Sequence, residues 1–276
     1  MTTLPLCTVT KPMFIPFIVA GDPSPDITVE LALALQEAGA DMLELGVPYS
    51  DPLADGPIIQ RAAARALRGQ MTLQKAVELV PEMRKKGVKI PIIIFTYYNP
   101  VLQLGKEHFF ALAQQNGVDG VLIPDLPFEE SGPIRQLGEK TGIPLISLVA
   151  PTSKKRMETI ASHAQGFLYC VSSLGVTGVR DTLPETLNGF LTEVKRHSRV
   201  PVVVGFGIST SEQVKMLKDY CDGVVIGSAL VQKIEQLNER LQTPANKEEA
   251  LAEFQRYARS LVAPLKQACS SHESSK

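Results

Sequence analysis

Residues 13–46, MFIPFIVAGDPSPDITVELALALQEAGADMLELG, open with a short apolar run from Met13 to Ala20. They pass through a turn rich in Gly, Asp and Pro and end in a second apolar run from Met42 to Gly46. Between the runs, Ser24 is placed to cap a helix, Pro25 suits its first turn, Ile27, Leu31, Ala34 and Ala38 share one face, and Gly39 supplies the stop. Neither apolar run alternates cleanly with polar residues, which is how a strand covered on both faces reads. The stretch is therefore a strand, a helix and a second, parallel strand.

The same unit recurs outward from it. Further short, β-branched-rich runs stand at Ile92 to Thr96, Gly120 to Ile123, Pro144 to Leu148, Phe167 to Val171, Val202 to Gly205 and Gly223 to Ile226, making eight in all. Helices fit Pro57 to Leu67, Thr72 to Lys86, Lys106 to Asn116, Thr152 to Ala161, Pro184 to His197 and Thr210 to Tyr220. Ser131 to Thr141 is a weaker helix, because Gly132, Pro133 and Gly138 interrupt it. Two junctions repeat: a small residue and Asp before a strand (Asp41, Asp119, Asp222), and Pro opening a strand (Pro91, Pro144, Pro201). Eight βα units in 276 residues match a single-domain α/β fold, the (β/α)8 TIM barrel, over 1–268. A doubly wound sheet competes but normally has fewer strands in one layer. Lys247 to Ala268 reads as an extra amphipathic helix outside the barrel, and residues 269–276, ending SSHESSK, as a frayed tail.

An apolar content of 44% is that of an ordinary globular protein, and a formal net charge of -1 gives no broad basic surface for nucleic acid. Cys7, Cys170, Cys221 and Cys269 are scattered, with no CxxC pair and no neighbouring His at metal-ligand spacing, so free thiols in a reducing compartment and no metal are expected. The first residues lack a basic leader before an apolar core, and Met13 to Ala20 is too short to span a bilayer. A cytoplasmic protein with no membrane partner is the expectation.

In a barrel of this kind chemistry gathers at the C-terminal ends of the strands. Glu44 interrupts an apolar run there, and Asp55 follows on the loop VPYSDPLADGP. A buried Glu44 would hold a proton near neutral pH while a better solvated Asp55 stays ionised; a buried ion pair at Glu44 and a plain Asp-Gly turn at Asp55 are the bland readings. Asp51, before Pro52, is equally a turn residue. Gly175 and Gly178, Gly205 and Gly207, and Gly227-Ser228 opening a helix make three loops where backbone N–H groups could meet a phosphate, or simply tight turns. Tyr97, Tyr98 and Tyr169, with Phe17 and Phe206, either wall a pocket for a flat substrate or pack the rim. His108, His163, His197 and His272 fall on outer helices or the tail, and no Ser-His-Asp triad is supported.

With FIPFIVAGDP, LELGVPYSDPLADGPIIQ, IPDLPFEES, SSLGVTGVR, GFGIS and GSALV spread along nearly the whole chain, the sequence resembles the tryptophan synthase α subunit family. The resemblance implies retro-aldol cleavage of indole-3-glycerol phosphate to indole and glyceraldehyde 3-phosphate, a carbon-carbon lyase reaction with no cofactor in this chain. It assigns catalysis to Glu44, Asp55 and Tyr169, phosphate binding to Gly178, Gly207, Gly227 and Ser228, and the substrate pocket to Phe17, Tyr97, Thr177 and Phe206. It implies a pyridoxal-phosphate β subunit in an α2β2 heterotetramer, faced by Pro48, Asp51 and Pro52, and a loop from Ser172 to about Pro184 that closes over substrate. The N-terminal MTTLPLCTVTKP departs from the family as a poor helix, and Val19 stands where Thr is frequent. Another phosphosugar barrel would need a different acid/base set, commonly a strand-end Lys, which none of these runs carries. A stand-alone lyase and a non-catalytic activator of a β subunit remain the other readings.

Overall fold

The computed structural model describes residues 12–151, 153–171, 185–205 and 207–270. Eight parallel strands close into one barrel in chain order: β1 Met13–Val19, β2 Leu43–Gly46, β3 Ile92–Phe95, β4 Gly120–Leu122, β5 Leu145–Val149, β6 Leu168–Val171, β7 Val202–Gly205 and β8 Gly223–Ile226. β8 pairs back onto β1 through Met13 opposite Gly223 to Pro16 opposite Ile226, so no edge strand is left. All eight runs named from the sequence are strands, each within one or two residues of its expected ends.

The helices form the outer ring: α1 Pro25–Glu37, α2 Pro57–Arg68, α3 Leu73–Lys86, α4 Tyr98–Leu104, α5 Lys106–Gln115, α6 Gly132–Thr141, α7 Lys154–Ser162, α8 Glu185–His197, α9 Ser211–Leu217, α10 Ser228–Gln242 and α11 Lys247–Ser270. Their starts follow local chemistry. Ser24 Oγ accepts the Ile27 N–H at 3.3 Å, Thr72 Oγ1 accepts that of Lys75 at 3.2 Å, and Thr210 and Gln213 form a reciprocal capping box. α11 turns Ala250, Phe254, Ala258, Leu261, Val262 and Leu265 inward and lies outside the barrel against α1, α9 and α10.

The structure differs from the sequence reading in two elements. α4 is unexpected, since Tyr97 and Tyr98 read as a strand end; Pro100 sits in its first turn, and Asp125 Oδ1 accepts the Tyr98 N–H at 2.9 Å. α9 stops at Leu217, short of Tyr220. The interrupted segment, read as a weaker helix, is a helix, α6, and its apparent breaker has a packing role: a Cβ on Gly138 would lie 2.5 Å from the Ile143 carbonyl oxygen. The N-terminal segment to Lys11 and the tail 271–276 lie outside the described residues.

The repeated Asp does the same job at three places on the barrel floor. Asp41, Asp119 and Asp222 each precede a strand, and each Oδ2 accepts the N–H of the first or second residue of the neighbouring strand: Phe14 at 2.7 Å, Ile92 at 2.8 Å and Val202 at 2.8 Å. The backbone N–H of each Asp returns a bond to the carbonyl of that same residue, at 2.8, 2.9 and 2.7 Å. Three strand pairs, β1–β2, β3–β4 and β7–β8, are therefore clasped at the end opposite the mouth, so register is set by side chains as well as by the ladder.

Candidate active site at the barrel mouth

Within the barrel, successive residues of a strand alternate between the interior and the helix layer. Leu43 and Leu45 of β2 pack outward, so Glu44 turns in, level with Phe17 on β1 and Ile93 on β3. Tyr169 turns in from β6 by the same alternation, and Phe95 from β3. These side chains line a cavity of about 690 Å³ at the C-terminal mouth, together with Asp55, Gly207, Gly227 and Ser228. That volume suits a substrate of small-molecule size.

Glu44 is 1% exposed, and its Oε1 finds no hydrogen-bond partner among the described residues. Removal from water disfavours the charged form, and with no cation offsetting it the carboxyl pKa is pushed up to about 8. The ion-pair reading of Glu44 is set aside by that environment. Tyr169 is also buried; desolvation first, and the Glu44 charge second, keep its hydroxyl protonated. The hydroxyl rests over β7, where a Cβ on Gly205 would overlap it, so that glycine makes room for the tyrosine.

Asp55 is half-buried rather than well solvated, and burial raises its pKa while a hydrogen bond from Tyr97 opposes the rise. Tyr97 differs most from its expected place. It does not line the cavity but sits buried behind the loop, its hydroxyl accepting the Ala54 N–H at 3.0 Å and bonding Asp55. Tyr49 reinforces this support, its ring 5.3 Å from that of Tyr97 and its hydroxyl accepting from Asn99 Nδ2 at 3.0 Å. Tyr97 thus supports the acid-bearing loop from behind and lines no part of the cavity.

Beyond β1, two strands from Glu44, the rim is the start of α10. Gly227 and Ser228 line the cavity there, and the N–H groups of the first helical turn have no acceptor inside the helix. Gly207, exposed and at φ 77°, also borders the cavity. Thr177, Gly178, Phe206 and the segment 172–184 lie outside the described residues. The apolar wall includes two side chains the sequence reading did not single out: Phe95, edge-on to Phe17 with centroids 5.3 Å apart, and Pro124. Alternation along β3 was the signal for Phe95, two residues beyond Ile93. Arg156, paired with Glu129 at 2.8 and 3.2 Å, reaches the cavity from α7 with no pattern to announce it.

Of the loop residues expected to face a partner, Asp51 is exposed and Pro52 half-exposed, but Pro48 is buried in its own chain and cannot present a surface. Leu53, not expected, is 81% exposed. Cys170 and Cys221 are free and buried. His108 and His163 are exposed and His197 is half-buried, all on or beside outer helices. Among the described residues, the one trio able to hold a metal ion, Glu158, Glu193 and His197, lines no part of the cavity, and Glu193 is already paired with Arg196 and Lys154. No described helix is long and apolar enough to cross a membrane.

Fold and site together define a (β/α)8 barrel with a protonated acid at its mouth, sharing one cavity with a helix start suited to an anion. Residues 6–261 match the family model described as tryptophan synthase alpha chain. The chain belongs to the tryptophan synthase α chain family. It is 87% identical to the tryptophan synthase alpha chain of Geobacillus sp. (strain WCH70) over 95% of this chain and 99% of that one, and 60% identical to that of Bacillus licheniformis over 90% and 92%. Among solved structures, it superposes on a chain of the Pyrococcus furiosus tryptophan synthase α2β2 complex with a TM-score of 0.80, at 35% identity, covering 93% of this chain and 100% of that one. The α subunit from Legionella pneumophila gives a TM-score of 0.77 at 37% identity, covering 89% and 92%.

Proposed function

We propose that this chain cleaves indole-3-glycerol phosphate to indole and glyceraldehyde 3-phosphate, as the α subunit of an α2β2 tryptophan synthase. The observation that carries the reading is Glu44: a carboxyl held protonated near neutral pH by burial, in one cavity with Asp55 and the start of α10. In the proposed reaction Glu44 gives its proton to the indole carbon that bears the glycerol chain. The ring becomes cationic at nitrogen, and the Asp55 carboxylate accepts the ring N–H and stabilises that charge. Glu44, now ionised, takes the proton of the adjacent side-chain hydroxyl. The carbon-carbon bond breaks, its electron pair restores the neutral indole, and the hydroxyl carbon becomes the aldehyde of glyceraldehyde 3-phosphate. Glu44 ends protonated, ready for another cycle.

Tyr169 supports the glycerol end beside Glu44, and the phosphate is received by Gly207, Gly227 and Ser228 with Gly178. Phe17 and Phe95 pack the indole, with Thr177 and Phe206 as further pocket residues. The cycle needs no cofactor in this chain; the partner β subunit would supply the pyridoxal phosphate that joins indole to serine. Asp51, Pro52 and Leu53 form the projecting edge offered to that subunit, an arrangement supported by the kinship with the Pyrococcus furiosus α2β2 complex. We place the reaction in the cytoplasm, in keeping with the free thiols Cys170 and Cys221.

A steady-state assay of indole release, with and without a β subunit, tests the whole reading. The expected result is weak release alone, a large rise on adding the β subunit, and a loss of roughly 10²- to 10⁴-fold in Glu44→Gln, the range typical of a removed general acid, with β-subunit binding retained. Undiminished turnover by Glu44→Gln would sink the assigned chemistry, and full activity without the partner would favour a stand-alone lyase.

A further inference from the structure

Asp22, in the turn after β1, is 2% exposed and lines no part of the cavity. Both of its oxygens are taken by one guanidinium: Arg65 Nε donates to Oδ1 at 2.7 Å and Nη2 to Oδ2 at 2.9 Å. The third nitrogen of that fork, Nη1, donates to Glu235 Oε1 at 2.7 Å. Arg61 closes the group with bonds to both Glu235 oxygens, at 2.9 and 2.8 Å. Two positive and two negative groups balance, and Arg65 is only 16% exposed, so solvent screens the central pair weakly.

The members stand on three elements that each carry a piece of the mouth. Asp22 extends β1, which bears Phe17. Arg61 and Arg65 lie on α2, which begins two residues after Asp55. Glu235 lies on α10, whose first residue is Ser228. A helix moves nearly as a rod, so a guanidinium that pins α2 two turns in from its start also sets where that start stands relative to α10. Bidentate geometry is what makes the pin directional, and a lysine at the same place keeps the charge but loses the fork.

We propose that Arg65 is a positioning residue for the reaction: through Asp22 and Glu235 it fixes α2 against α10, and so the separation of Asp55 from the phosphate end at Ser228. The proposal rests on the function assigned above. Its consequence is selective. Each end of the site stays formed without Arg65, but a substrate that must reach both ends no longer meets them together, and small misplacements of reacting groups carry large kinetic penalties.

The test uses the full chain assembled with a β subunit, well below its melting temperature. Arg65→Lys and Asp22→Asn are compared with Glu253→Gln, which breaks the Lys233 and Arg240 pairs between α10 and α11. Expected are a fall in kcat of roughly tenfold or more for Arg65→Lys and for Asp22→Asn, no further loss when the two are combined, and a change below about twofold for Glu253→Gln. In parallel, Arg65→Lys weakens binding of a non-cleavable indolyl alkyl phosphate about tenfold while leaving inorganic phosphate binding unchanged. Loss of both ligands to the same degree, or a lowered melting temperature with kcat and both affinities unchanged, overturns the proposal and leaves the cluster a purely structural clamp. If Arg65→Lys fails to fold, the near-isosteric Asp22→Asn carries the same comparison. Wild type that binds the indolyl phosphate but does not cleave the substrate overturns the assigned reaction, while the ratio of the two affinities still decides the role of Arg65.

Discussion

Glu44 owes its protonation to what surrounds it rather than to a partner. That makes it a cost to the folded state whenever the pH favours its charge. Its carboxyl ionises at about 8 in the fold against an ordinary value of 4.5, so between those values the native chain holds a proton that the unfolded chain has released. Stability therefore falls as pH rises through this window, by about 1.4 kcal/mol for each pH step of one, and is affected little further above 8 or below 4.5. Glu44→Gln has no such proton to hold. Urea unfolding from pH 5 to 8 is expected to show the variant gaining on wild type by a few kcal/mol as pH rises. A constant difference across that range would mean that Glu44 ionises normally. Tyr97 teaches a related lesson in the other direction, since its hydroxyl is used on Ala54 and Asp55 and so is not free for a ligand.

Among the elements, α10 and the floor clasps lend themselves to separate measurement. A carboxylate at a helix start is ordinarily favourable, because it meets the positive end of the backbone dipole. Ser228→Asp is therefore expected to leave thermal stability intact while repelling a phosphate, raising KM by roughly tenfold or more, about the 1.4 kcal/mol that one decade requires. An unchanged KM would place the phosphate elsewhere. At the floor, Asp119 Oδ2 takes both the Ile92 N–H and Arg84, at 2.8 and 2.7 Å, so Asp119→Ala strands a buried donor. Chemical denaturation is expected to show a loss of about 2–3 kcal/mol with kcat of the folded protein retained, because the clasp lies at the end of the barrel opposite the chemistry.

For the molecule as a whole, the candidate acid groups gather at one rim of the closed barrel, and that rim also bears the most exposed large apolar side chain among the described residues. Leu53 is 81% exposed and sits two residues before Asp55. It contributes little to the isolated fold. Leu53→Asp is expected to leave the melting temperature of the free chain unchanged and to weaken assembly with a β subunit by roughly 10- to 100-fold, as truncating an interface anchor does, measured by titration calorimetry. Because the same loop carries Asp55, the variant should also lose part of the activation on assembly. Equal affinity for both proteins would show that the partner docks on another face.

The local pattern was sufficient for the barrel. Eight apolar runs, their intervening helices and the strand-opening Asp residues are decided by short-range periodicity and capping, and the positions of Glu44, Tyr169 and Ser228 at the mouth followed from strand polarity. What periodicity could not carry were contacts between distant segments: α4, started by Asp125 from the next loop, and Pro48, buried by its own fold. The sequence by itself determined which residue types stand at each strand end. Only the tertiary structure decided which of them meet, that Glu44 is left without a countercharge among the described groups, that Tyr97 supports rather than lines, and that one guanidinium joins Asp22 to Glu235 across 213 positions. The physical reason is that capping and alternation act within a few residues, whereas desolvation and ion pairing depend on everything packed nearby, wherever it lies in the chain.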